Sequence, residues 1–281
     1  MHGADPRLVL GLHRSRHHRD ILTAALDLGV TALDTAAPYL GFRSHVVLAE
    51  TAADLLPNFA LSTKVGFFPG TGGAEHSLDP DRLRLAIEKA AQELGREPDT
   101  VLLHNPERSL TGLSPADGQA LLGNACTALV DAAREGLCRT WGVSSWDTRP
   151  LGMVGVDDLP SPDVLMVRAG FLVGVDLLDT TAVLRSVWQA AETWGMSPFG
   201  GGNGKAWEDF DPRPFLRPPH DGLSRVQAAF RTAFDLPSAA AVAVGTDNHV
   251  HLAELVQALG ADVDTTAVSQ YLRALHGHRQ G

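Results

Sequence analysis

Residues 30–39 read Val30-Thr31-Ala32-Leu33-Asp34-Thr35-Ala36-Ala37-Pro38-Tyr39, a short β-rich run that stops at a carboxylate and is followed by a phenol. Two further runs are built alike. Phe59-Ala-Leu-Ser-Thr-Lys64 ends in an amine, and Thr100-Val-Leu-Leu-His104 ends in an imidazole. The strand ends on one side of a parallel barrel point into one shared pocket. Asp34, Tyr39, Lys64 and His104 gathered there would form a proton-transfer site. Taken singly, each has a plainer role: Asp34 caps a turn, Lys64 is a solvated strand-end lysine, His104 is a turn histidine and Tyr39 packs.

Outward from these runs, β-rich stretches alternate with helical ones. The strand candidates are 8–12, 30–35, 60–64, 100–104, 140–144, 164–167, 193–197 and 239–244. Several are unbroken apolar runs, as a sheet buried on both faces requires. Helices are predicted over 20–28, 79–94, 114–136, 178–192, 223–234 and 249–259, with Asp79 as N-cap, Pro80 at the first helical position and Gly260 as a stop. Eight strands, each followed by a helix or a helix-length gap, predict an α/β fold, a (β/α)8 TIM barrel spanning 1–281 as one domain. An open doubly wound sheet would want a Gly-rich phosphate turn after the first strand, and none is present. A long irregular stretch at about 200–221, after strand 7, is placed to cover the pocket mouth.

The composition narrows the function class. No apolar run reaches the roughly 20 residues of a membrane-spanning helix, and Met1-His-Gly-Ala-Asp-Pro-Arg7 lacks the apolar core of a secretory signal. Cys126 and Cys138 form no CxxC pair, which fits free thiols in a reducing, cytoplasmic setting. A net charge of −10 argues against a nucleic-acid partner. The histidines and arginines at 13–18 have local spacing without metal geometry, so no metal is expected and the cluster reads as a solvated loop and helix start. Arg14 or Arg16 remains open to an anion role.

The motifs resemble those of the aldo-keto reductase family. Gly29-Val-Thr-Ala-Leu-Asp-Thr-Ala-Ala-Pro-Tyr39 is similar to its G-x-x-x-x-D-T-A-x-x-Y signature, Leu61-Ser-Thr-Lys-Val-Gly66 to its lysine strand and Leu102-Leu-His-Asn-Pro106 to its histidine strand. Trp141-Gly-Val-Ser-Ser145, Ser197-Pro-Phe-Gly-Gly-Gly202, and Ala243-Val-Gly-Thr246 with Leu252-Ala-Glu254 follow in the family's order. The resemblance implies carbonyl reduction, or alcohol oxidation, with NADP or NAD. In that reading Tyr39 is the general acid, Lys64 lowers its pKa, Asp34 orients Lys64 and His104 orients a small-molecule carbonyl or alcohol substrate. Ser144, Ser145, Met166, Pro198, Phe199, Gly200, Gly245, Thr246 and Asp247 fall at cofactor positions. Phe171, Trp207 and Trp146 are candidates for the substrate pocket.

Several positions depart from the family pattern. Ser145 stands where Asn is common and Met166 where Gln is common, and Met166 cannot donate a hydrogen bond. The loop Gly245-Thr-Asp-Asn-His-Val-His251 carries no permanent cation, and Asp247 would repel a 2′-phosphate. His45 replaces a glutamate, and the chain enters its first strand with little room for the family's N-terminal hairpin. These departures keep two other readings open: a cofactor-independent lyase, dehydratase or isomerase that reuses the tetrad, and a non-catalytic binding subunit. Arg168, unusual on a barrel strand, would meet an acidic substrate or pair with Asp34 or Asp176.

Overall fold

Strands buried on both faces must satisfy their backbone through neighbours, and here the sheet does so by closing on itself. The chain is described by a computed structural model over residues 5–201, 206–219 and 222–278. Its strands are β1 (Leu8–Gly11), β2 (Ala32–Asp34), β3 (Ala60–Val65), β4 (Phe67–Gly70), β5 (Gly73–His76), β6 (Thr100–His104), β7 (Thr140–Ser145), β8 (Val164–Arg168), β9 (Glu192–Met196) and β10 (Ala241–Val244). The order β1-β2-β3-β6-β7-β8-β9-β10 runs parallel throughout and returns to β1, giving the expected (β/α)8 barrel. The β4–β5 pair is an antiparallel hairpin inserted after β3.

The two-residue period of a strand sorts side chains between the lumen and the helical layer. Val9, Leu102, Val164, Met166, Ala241 and Ala243 pack inside the barrel. Their neighbours Leu8, Leu10, Val242 and Val244 face outward against Ile21 and Leu22 of the helix Arg19–Asp27 and Leu252 of the helix His249–Ala258. Val101, Leu103, Val143, Leu165 and Val167 likewise meet Leu83 and Ile87 of the helix Pro80–Leu94 and Leu122 and Leu129 of the helix Pro115–Arg134. The same alternation puts Asp34, Lys64, His104, Ser144 and Arg168 on the inward file, at the C-terminal ends of their strands.

The predicted helix starts rest on caps that form. Asp79 accepts from the Arg82 N–H ahead of Pro80, Ser114 accepts from Asp117, and Ser224 and Gln227 complete a reciprocal capping box. The helix expected over 178–192 instead runs Val175–Trp188, because Glu192 already belongs to β9. The helices Ser44–Ala52, Arg149–Val154 and Thr265–His278 were not expected. Ser44–Ala52 starts without a side-chain cap and carries no one-sided apolar stripe, and Arg149–Val154 is too short to show a period. The hairpin Phe67–His76 has no counterpart among the eight strand candidates.

Gly142 shows how tightly the lumen is filled. A Cβ there would lie 2.2 Å from the Val164 carbonyl oxygen and 2.7 Å from a Leu102 methyl. The oxygen is backbone and cannot swing away. Gly142→Ala is therefore expected to destabilise the fold by about 1–3 kcal/mol or more, read as a lowered urea midpoint; an unchanged midpoint would contradict this packing.

Among the described residues no helix is long and apolar enough to cross a membrane. No group of His, Cys, Asp and Glu among them is arranged to hold a metal. Cys126 and Cys138 are free and buried, and burial raises both thiols, to about 12 and about 11.

Candidate active site

The C-terminal ends of the barrel strands open into a cavity of about 560 Å³. Asp34, Tyr39, Lys64 and His104 all line it, together with Ser144, Trp146, Pro198, Phe199 and Gly245. Lys64 enters from β3 and is buried, with 2% of its surface exposed. A buried ammonium needs its donors satisfied, and each of its three has a partner. Nζ donates to Asp34 Oδ2 at 2.5 Å, to the Thr35 carbonyl at 2.9 Å and to the Tyr39 hydroxyl oxygen at 3.5 Å. Ser62, on the same inward file, donates to the other Asp34 oxygen at 2.8 Å. Burial alone would lower the Lys64 pKa, but Asp34 and then Tyr39 outweigh it and raise it above the ordinary lysine value.

This arrangement sets the direction of the Tyr39 hydroxyl. An ammonium is donor only, so Tyr39 accepts from Lys64 and its own proton is left to the cavity. The sequence led to an expected lowering of the phenol pKa. Burial instead raises it, Lys64 opposes and the Asp34 carboxylate adds to the rise, so the net direction is upward. Burial keeps the phenol in its proton-carrying form, while Lys64 pulls toward ionisation and orients the hydroxyl.

His104 sits beside the phenol, with ring centroids 6.3 Å apart. Burial, then the charges of Lys64, His76, His13 and Arg108, hold its pKa well below the ordinary value. The ring is neutral near pH 7, with one N–H to give and one lone pair to accept. Its Nδ1 is buried and has no partner among the described residues. Its backbone carbonyl is bonded by His76 Nε2 of the hairpin at 2.8 Å, and His76 Nδ1 meets Ser109 Oγ at 2.7 Å.

The remaining candidates divide. Ser144 lines the cavity, with its hydroxyl buried and without a partner among the described residues. Ser145 faces the other way and donates to Glu107 at 3.1 Å. Met166 is sealed inside the barrel core, packed with Leu102 and Ala243 rather than facing the cavity. Gly201 rather than Gly200 reaches the cavity wall, while Gly202 lies outside the described residues. Thr246 and Asp247 sit beyond the wall: Thr246 accepts from the Asn248 N–H at 3.1 Å and Asp247 from the Arg16 N–H at 3.1 Å. Phe171 and Trp207 do not reach the cavity. They pack with Phe210, and Phe171 also with Phe215 and Tyr271, because loop aromatics find one another before they find solvent. Trp146 does line it and remains 43% exposed. The loop at about 200–221 meets the cavity through Gly201, whose carbonyl accepts from Arg14 at 2.8 Å.

Other residues join from segments whose sequence gave no signal. His13 packs edge-on to Tyr39, centroids 4.9 Å apart, and His17 is fully buried against Ser44 at 2.7 Å, so the cluster at 13–18 is not simply a solvated loop. Phe67 and Ala74 of the hairpin form one wall. Glu107 is buried and accepts from the Trp146 N–H at 2.8 Å, the Asp147 N–H at 3.2 Å and Ser145 Oγ, which ties down the loop carrying Trp146. Burial pushes its carboxyl pKa up against those bonds. No motif or spacing in the sequence singles it out. His45, where the family has glutamate, is buried between Thr63 at 2.7 Å and Glu93 at 3.3 Å.

The sequence model of the aldo/keto reductase family matches residues 13–269. Among solved structures, PA4992 of Pseudomonas aeruginosa shares 24% identity over 90% of this chain and 91% of its own, with a TM-score of 0.64. AKR11C1 of Bacillus halodurans, an aldo-keto reductase, shares 18% over 96% and 91%, with a TM-score of 0.71. An aldo/keto reductase of Klebsiella pneumoniae solved with NADP and acetate shares 18% over the same shares, with a TM-score of 0.70. At these identities the likeness is one of fold. Comparison with curated protein sequences finds no match. A parallel barrel with an Asp, Tyr, Lys and His at one mouth, matched by the family model over nearly its whole length, makes this chain a member of the aldo/keto reductase family of oxidoreductases.

Proposed function

We propose that the protein reduces a small-molecule carbonyl to an alcohol, or runs the reverse oxidation, with NADP or NAD as hydride partner and Tyr39 as the proton donor. The observation that carries this reading is the three-way bonding of Lys64, which leaves the Tyr39 proton facing the cavity beside a neutral His104. The cofactor fits the donor set: Ser144 Oγ is a buried hydroxyl without a partner among the described residues and suits an amide, and Gly201 and Gly245 bring backbone to the cavity wall. Ser144, Pro198, Phe199 and Gly245 would hold it. When bound, the reduced nicotinamide supplies the hydride. The chain's part is to place the carbonyl oxygen between Tyr39 and His104. The phenol releases its proton to that oxygen, and the Lys64 ammonium stabilises the phenolate left behind. Cytoplasmic placement is part of this reading, in keeping with two buried free thiols.

The test is a titration with NADPH and NADH followed by nicotinamide fluorescence. Micromolar affinity for either is expected. No binding at millimolar cofactor would overturn hydride transfer and leave the tetrad to cofactor-independent lyase, dehydratase or isomerase chemistry.

A further inference from the structure

Arg168 ends β8 on the file of Val164 and Met166, so its side chain leaves the strand toward the barrel lumen at the mouth that holds the active site. Guanidinium groups in such places are normally paired. Among the described residues no carboxylate bonds this one. Nη2 donates to the Leu172 carbonyl at 3.1 Å, and Nε is buried with no partner among those residues. Asp147 is within electrostatic reach, but its oxygens bond Arg149 at 2.8 and 2.6 Å. What covers Arg168 is the Trp146 ring, 5.0 Å from the guanidinium carbon. Trp146 is a cavity wall, and so is Met196, the register partner of Arg168 on β9. The guanidinium therefore stands one side chain behind the substrate cavity, incompletely bonded, behind a ring that is 43% exposed.

We propose that Arg168 is a subsite for a carboxylate on the substrate, so that the preferred carbonyl compounds are oxo acids whose acid group lies away from the reacting carbonyl. The inference rests on the reductase reading. A carboxylate matches the guanidinium fork in a bidentate manner, taking the idle Nε–H and an Nη–H. It enters by displacing the Trp146 ring, whose backbone stays fixed through Glu107. The cavity side of the site carries Arg14 and Lys64 against Asp34 alone, which favours an anion in a chain of net charge −10.

The test compares 4-oxobutanoate, 5-oxopentanoate and 6-oxohexanoate with butanal, pentanal and hexanal at saturating cofactor. At least one acid is expected to exceed its neutral partner by tenfold or more in kcat/KM, mostly through KM, and Arg168→Met is expected to bring that ratio to about one. Arg168→Lys should keep part of it. A ratio near one at all three lengths in the unmodified protein overturns the subsite while leaving the reductase intact. If no aldehyde is reduced and no cofactor binds, the reductase reading fails by itself. Calorimetric titration of the three acids then decides the subsite: binding weakened tenfold by Arg168→Met supports it, and equal or absent binding overturns it.

Discussion

Tyr39→Phe is expected to lower kcat/KM for carbonyl reduction by about 10²–10⁴-fold, the usual contribution of a positioned proton donor. The substitution removes one oxygen and leaves the ring, so the edge contacts with His13 and His104 persist and the cofactor should bind as before. The Lys64 bond to the phenol is the longest of its three, and Asp34 and Thr35 still hold the amine. Loss of rate with unchanged cofactor affinity would therefore identify chemistry rather than folding. The pH profile gives a second readout. Burial raises the phenol above its ordinary value of about 10, so it stays protonated through the neutral range and reduction declines only at strongly alkaline pH. That alkaline decline should vanish in Tyr39→Phe. Activity within tenfold of the unmodified protein would remove Tyr39 from the mechanism.

Lys64→Met should cost both activity and stability. The amine touches Asp34, Thr35 and Tyr39 from a position with almost no solvent. Its loss leaves the Asp34 carboxylate buried with, among the described residues, the Ser62 hydroxyl as its remaining side-chain donor. Breaking a buried ion pair from one side typically costs about 3–5 kcal/mol, most of it from the charge left uncompensated. The double variant Asp34→Asn with Lys64→Met removes both charges and is expected to regain most of that stability while remaining inactive. Urea midpoints of the two variants, set beside their turnover, separate the terms. Equal stability in the single and double variants would show that the pair does not hold the site as described.

The far side of the site was less legible than the near side. Asp34, Lys64 and His104 each lie at the C-terminal end of a recognisable strand, and their place on its inward file presents them at the barrel mouth. Ser144 followed the same rule. Met166 did not, because β8 extends to Arg168 and Met166 falls one layer lower, inside the core. Ser145 lay one residue off the inward file and turned to Glu107. Phe171 and Trp207 occur in loops, where sequence carries no period to say which way a ring faces. There they met other aromatics. The contributions of His13, Phe67 and Glu107 depend on segments distant in the chain that fold against one another, and no spacing announces such contacts.

The sequence by itself determined the barrel, its strand order and the four ionisable residues at one mouth, since a two-residue period and runs of fixed length act locally. The tertiary structure alone decided the electrostatics of those residues. Whether Lys64 lowers the phenol or burial raises it depends on how much water the packed hairpin, helices and loops leave in the cavity. It also left Arg168 behind Trp146 at that mouth with no carboxylate bonded to it among the described residues, because the nearby Asp147 is bonded to Arg149.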